Sequence, residues 1–470
     1  MKPRSQPRDA LELFRSHFDQ ILNPRHELVQ LTSQIDWSRF DAAFADCYCP
    51  DFGAPGKAIR LMVGLHYLKY TFNESDESVV ARWVENPYWQ NFSGYTHIQH
   101  ECPLHPTALV KWRKCVGTER LGELLRETIA LAVREKHLAK RALARVNVDT
   151  TVQEKNITHP TDSKLLYRAI AKLAVAARSR GIALRQSYVR VGKRAAIKAS
   201  RYAHAKQFRR MRRELRFLRT RLGRLIRDIQ RKAEPVDIEL GTLLERADRI
   251  RRQQRHDTNK LYSLHEPEVC CISKGKAHKR YEFGQKVAVA TTNRSNWFVA
   301  ADLQAGNPYD GHTLAATLAS VEANTGVALS DAYVDKGYRG HDYAGPIAIH
   351  RAGSRGKRLT RAERRRKRRS AVEPKIGHAK LDHRMGRCFL KGLAGNAINA
   401  TFAAAGANLR KLLNLLYFAL FEWLSDAMAA DERPCMTLVP AQPFAASRFS
   451  AAFAVPLIPG ANRVTTDAAA

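Results

Sequence analysis

Long apolar runs are missing from this 470-residue sequence. No stretch reaches the roughly 18 residues needed to cross a bilayer. The nearest, Gly392–Leu409, is Ala-rich but interrupted by Asn396, Asn399 and Asn408. Residues 1–30 are polar and charged, so no signal peptide is expected. Cysteine is scarce, eight in all, too few for a disulfide scaffold, and reduced thiols are the simplest account of them. His97, His100, Cys102 and His105, with Cys47 and Cys49 upstream, lack the CxxC pairing and His spacing of a zinc site and read as loop residues. No Gly-rich phosphate loop occurs, which leaves nucleotide hydrolysis unsupported. Acidic residues are short as well: 45 against 79 Lys and Arg, a net charge of +34. That balance points to a polyanionic partner, nucleic acid ahead of an anionic membrane. Hydrophobic residues, at 44%, are ample for a large core, and the length suggests two or three folded units.

Residues 1–140 read as helical. Lys57–Tyr70 carries apolar residues at helical spacing, and Ser75–Glu85 opens with a Ser cap and an acidic first turn. Asn86–Phe92 breaks the pattern, and Thr107–Cys115 and Glu119–Glu135 resume it. Trp83, Trp89 and Trp112 read first as core residues; a DNA-binding or dimer-forming module is the other reading. At Ala144–Thr151 the period changes to two, with Val146 and Val148 alternating with Asn147 and Asp149, so a strand ending near Asp149 is expected.

Thr161–Leu261 looks almost wholly helical. Phe208, Met211, Leu215, Leu218, Leu222, Leu225 and Ile229 form a heptad seam, and Leu240, Leu243, Leu244, Ala247 and Ile250 could line a return helix. Between Lys193 and Lys232 sixteen Lys or Arg face two acids, Glu214 and Asp228. Solvated faces mix signs, so this imbalance favours phosphate contact. Strands then resume at Glu268–Ile272, Gln285–Thr292 and Trp297–Asp302. A helix over His312–Asn324 leads to an apolar strand, Val327–Asp335, and Ile347–His350 could be a last short strand. Arg351–Arg369 holds eleven Lys or Arg against Glu363 alone. Arg369–Leu390 reads as one amphipathic helix, with Pro374 in its first turn. Phe402–Leu424 is a further apolar helix, and the Ala- and Pro-rich tail after Asp431 is expected to be poorly ordered.

Three carboxylates stand out. Asp149 and Asp335 each follow an apolar strand pattern, and Glu373 sits at a helix start with Arg369 four residues before it and Lys380 seven after, on one face. An ion-pair ladder would explain the Glu373 spacing locally. If the two strands are neighbours and the helix crosses their ends, the carboxylates converge, and such hard oxygen donors suit Mg²⁺ or Mn²⁺. Asp302, Asp310 and Asp331 are nearby rivals, of which Asp310, in GNPYDG, is the most credible and reads as a loop residue near the site.

With VNVDTT, YVDKGYRG and RSAVEPKIGHAK on the page, the chain resembles the DDE transposases of bacterial insertion sequences, in the group with a helical insertion. GNPYDGHTL, SLHEPEV and NPYWQNFSGY carry the likeness over roughly residues 30–415. The family's third-carboxylate signature runs Tyr, Arg, Glu, Lys; Arg369, Glu373 and Lys380 fit it, and Arg366 replaces the Tyr.

The resemblance implies a ribonuclease-H-like α/β core, a mixed sheet flanked by helices, with an N-terminal all-α domain and a helical insertion. On that reading residues 1–140 are the helical domain, 141–160 and 263–392 the catalytic core, 161–262 the basic insertion, 393–430 a C-terminal helix and 431–470 the tail. It further implies Asp149, Asp335 and Glu373 as metal ligands for two ions of Mg²⁺ or Mn²⁺. Arg369, Lys380, Arg366, Lys336, Arg339, Arg209, Arg213 and Arg216 would contact DNA. The partners implied are terminal inverted repeats and target DNA, handled by a homodimer or larger synaptic assembly near the nucleoid of a bacterial cytoplasm. Competing functions are a non-catalytic DNA-binding protein, a nuclease of the same fold that never joins strands, and an RNA-binding structural protein, which leaves the carboxylates unexplained.

Overall fold

The computed structural model describes residues 16–48, 56–233, 237–273, 280–352 and 368–431, with side chains to Phe418. Most of the basic run before Arg369, including Arg366, and the tail after Asp431 lie outside the described residues. Met1–Phe421 forms one compact unit and Glu422–Ala470 another, in which residues 422–431 are helical.

The first unit is built on a mixed sheet. Strand β1 (Arg145–Lys155) pairs antiparallel along most of its length with β3 (Tyr281–Thr292). The far edge of β3 carries β2 (Cys270–Ser273) and β4 (Phe298–Gln304), both antiparallel to it. On the other edge of β1, β5 (Asp331–Val334) pairs in parallel and is followed by β6 (Ala348–Arg351), also parallel. A last short strand, β7 (Arg387–Cys388), pairs with the end of β1. Helices flank this sheet, and the core is ribonuclease-H-like, as the resemblance implies.

Alternation predicts β1 but not its length. Asp149 is mid-strand rather than terminal, because the mixed run Thr150–Lys155 keeps pairing with β3. Gly284 makes this possible: a side chain there would collide with the Gln153 carbonyl and the Glu154 backbone. The N-terminal helices, the sheet, the Glu373 helix and the start of the C-terminal helix (Gly392–Asp431) share one hydrophobic core, in which Trp83, Trp89 and Trp112 are buried. Asn86–Phe92 is not a break. Asn86 caps a short helix, Pro87–Phe92, whose Pro occupies the first turn.

Among the described residues the insertion folds as four helices, Asp162–Ser179, Val189–His204, Phe208–Lys232 and Ile238–Arg252, around a separate core. The heptad seam is buried from Leu215 to Ile229, whereas Phe208 at its start is exposed. Arg209, Arg213 and Arg216 lie on the exposed side of that helix.

Candidate active site

The edge of β1 opposite β3 is covered by β5 at Arg145–Asn147 and by β7 at Glu154–Lys155. Among the described residues no strand pairs with this edge between them, and Asp149 lies in that gap. In the parallel register Asn147 stands opposite Tyr333. Two residues further on, Asp149 and Asp335 occupy matching positions on one face, because side chains in a strand repeat every second residue. Asp335 immediately follows β5 and opens the short turn Lys336–Tyr338. Each aspartate accepts the next residue's amide at 2.7 Å, Thr150 onto Asp149 Oδ1 and Lys336 onto Asp335 Oδ1.

Glu373 arrives on a helix, Val372–Asp382, entered through the single turn Arg368–Ala371. The region read as one helix to Leu390 therefore ends eight residues early. Arg384 has a left-handed backbone, and the chain turns there into β7, whose pairing with β1 outweighs the helical spacing. The entry turn is tied to β1: Asn147, fully buried, donates to the Arg368 carbonyl at 3.4 Å and accepts from the Asn293 amide at 2.6 Å. Sequence reading noted Asn147 only as a polar position in an apolar alternation. That buried polar side chain was the available signal.

The turn sends Arg369 inward, and its guanidinium meets all three carboxylates. Nη2 donates to Glu373 Oε1 at 3.0 Å and stands 3.6 Å from Asp335 Oδ1, and Nη1 is 3.6 Å from Asp149 Oδ2. Arg369 is 10% exposed; Asp149, Asp335 and Glu373 are 19, 48 and 65% exposed. Among the described residues Arg369 is thus a cation within 4 Å of all three carboxylates.

The donors fit a hard dication, since all three are carboxylates and no thiolate is among them. Among the described residues no three His, Cys, Asp or Glu side chains are close enough together to hold an ion as they stand. Here the guanidinium stands among the oxygens that would have to converge.

Asp310 lies beside this cluster. Its Oδ1 accepts from Thr150 Oγ1 at 3.0 Å and from Lys286 Nζ at 2.9 Å, and Lys286, nearly buried, also reaches the Pro308 carbonyl at 2.6 Å. The Tyr309 hydroxyl donates to the Arg339 carbonyl, joining this loop to the turn after Asp335. Lys286 escaped sequence reading because a lone Lys in an apolar strand pattern carries no local signature. Burial pushes the Tyr338 phenol well above its ordinary value, and the negative charges of Asp149 and Asp310 add to the shift. The other rivals are engaged elsewhere: Asp331 with His350 at 2.7 Å and Arg145 at 3.1 Å, and Asp302 with Ser320 at 3.0 Å.

Of the other residues implied by the resemblance, Lys336 and Arg339 are exposed on the turn after Asp335. Lys380 lies two turns along the Glu373 helix, and Arg209, Arg213 and Arg216 belong to the separately cored insertion.

Comparison with known proteins agrees with this architecture. Residues 16–115 match the transposase domain family DUF772, and residues 251–409 match the transposase DDE domain family. An uncharacterized protein, ORF8 in the nfe locus of Rhizobium meliloti, is 50% identical over 208 residues, which are 44% of this chain and the whole of that protein. No solved structure matches the chain. The two family matches cover the N-terminal helices and most of the sheet with the Glu373 helix, and on them the chain belongs to the DDE transposases of insertion sequences.

Proposed function

We propose that this transposase cuts DNA at the ends of its element and joins the freed 3′-hydroxyl to target DNA, with Asp149, Asp335 and Glu373 as the catalytic carboxylates. The observation that carries the reading is their meeting around a single guanidinium. They would hold Mg²⁺ or Mn²⁺, two ions in the family's manner, which when bound supply Lewis acidity for the attacking and leaving oxygens. The chain's own part is to orient. The fixed register of β1 and β5 sets the two aspartates side by side, and the entry turn held by Asn147 presents Glu373 to them. Lys336 and Arg339, exposed next to Asp335, would take backbone phosphates of the strand being cut, and Lys380 would do so further along the helix. A dimer or larger assembly would let both element ends be cut together.

The test is nicking of end DNA by the purified full chain with Mg²⁺ or Mn²⁺. Asp149→Asn, Asp335→Asn and Glu373→Gln should each lose activity by about a thousandfold or more while end-DNA binding persists. Substantial nicking by any of the three removes that residue from the set. Strand-transfer products would separate the reading from that of a nuclease that only cuts.

The insertion and the basic run are proposed to bind phosphates. Affinity should then fall steeply with salt, with a log–log slope of about −0.9 per phosphate neutralised. A nearly flat salt dependence returns both to the status of solvated surface.

A further inference from the structure

We infer that Arg369 is a stand-in cation, which occupies the carboxylate cluster of the metal-free protein and swings out when a divalent ion enters. The inference rests on the proposed metal-binding role of Asp149, Asp335 and Glu373 and adds a competitor built into the chain.

Three observations support it. First, the guanidinium touches all three carboxylates, yet only the contact to Glu373, at 3.0 Å, is short enough for a hydrogen bond. Second, Nη1 is buried and, among the described residues, has no hydrogen-bond acceptor, an uncommon state for a group carrying charge. An arginine kept as a permanent strut is expected to fork onto a carboxylate with two short bonds, as Arg113 does onto Asp76 at 2.9 and 2.6 Å. Third, the backbone of the entry turn is held by Asn147 through the Arg368 carbonyl, so the long side chain can leave by rotating about its own bonds while the turn stays.

A guanidinium and a dication repel each other and draw on the same oxygens, so the two occupancies exclude one another. Once displaced, Arg369 is a mobile cation beside the carboxylates, placed to take a phosphate of bound DNA. The device would keep the like charges from splaying the site before metal arrives and would weaken metal binding in the absence of DNA.

The experiment compares full-length wild type, Arg369→Gln and Arg369→Lys for Mn²⁺ affinity, read from the free-ion paramagnetic resonance signal, and for melting temperature with and without Mn²⁺. Arg369→Gln should bind Mn²⁺ about tenfold more tightly, which corresponds to about 1.4 kcal/mol of relieved competition. It should melt lower than wild type without metal and show a larger rise with it. Arg369→Lys keeps the charge but reaches fewer oxygens at once, so it should fall between the two, and it decides the matter if the Gln variant does not fold. A strut also predicts a lower melting temperature without metal when Arg369 is lost, but weaker rather than tighter Mn²⁺ binding. Unchanged or weaker affinity in the variants overturns the stand-in role and leaves the carboxylate reading intact. Failure of wild type and variants alike to take up Mn²⁺ overturns both.

Discussion

Two arginine–carboxylate clusters among the described residues are built on opposite principles. Among the N-terminal helices, one carboxylate, Asp76, serves two cations. Arg113 forks onto it, and Lys69 Nζ reaches it at 2.8 Å. His66 completes the group, its Nδ1 donating to the Met62 carbonyl and its Nε2 accepting from Arg113 at 3.1 Å. Burial lowers His66 to about 3, with the Arg113 charge adding to it, so the ring stays neutral and fits that pattern. Burial works to raise the Asp76 carboxyl, but the hydrogen bonds of Arg113 and the charge of Lys69 hold it well below the ordinary range. In the Arg369 cluster, among the described residues, the ratio is inverted: three carboxylates, two of them substantially exposed, meet one guanidinium that makes a short hydrogen bond to Glu373 alone. A cluster whose carboxylate is gripped on both oxygens by buried cations is a structural joint. One that gathers like charge toward solvent is open to a cation from outside the chain.

The sharpest way to break this comparison is to remove one carboxylate from each cluster. Asp76→Asn leaves Arg113 and Lys69 buried without a counter-charge and should cost about 3–5 kcal/mol, measured by denaturant titration. Glu373→Gln relieves repulsion, so the metal-free protein should keep its stability or gain slightly. Equal losses at both positions would make the Arg369 cluster another joint and undo the distinction.

A smaller effect sharpens the comparison by supplying the case of burial without a cation. Asp302 accepts from Ser320, its other oxygen is buried without a hydrogen-bond partner among the described residues, and burial raises its carboxyl to about 6 against the lowering effect of Ser320. Because the folded value exceeds the unfolded one, this group contributes stability below the ordinary carboxylate range and loses that contribution as pH rises through about 6. Asp302→Asn mimics the protonated form. It should stabilise the protein by about 1–2 kcal/mol at pH 7 and by almost nothing near pH 4, in thermal melts across pH. A gain independent of pH would mean that the amide acts through new hydrogen bonds instead.

Sequence alone determined the ingredients. Alternation marked the strand bearing Asp149, the spacing of Glu373 and Lys380 put both on one helical face, and the charge balance singled out a polyanionic partner. Heptad spacing gave the helical insertion its buried seam from Leu215 to Ile229. These features are local, and a repeat of two or three to four residues is visible without knowing what the segment packs against. Only the tertiary structure decided the rest. The parallel register that sets Asp335 beside Asp149 depends on pairing between distant strands, and a slip of one residue would turn either side chain to the other face. The helix after Glu373 stops at Asp382 because β7 pairs with β1, which no spacing within Arg369–Leu390 announces. Arg369 points inward because Asn147, buried in β1, anchors the turn before it. Side-chain periodicity records which face of an element is wet or dry; which charges share that face is settled by where the chain returns from elsewhere.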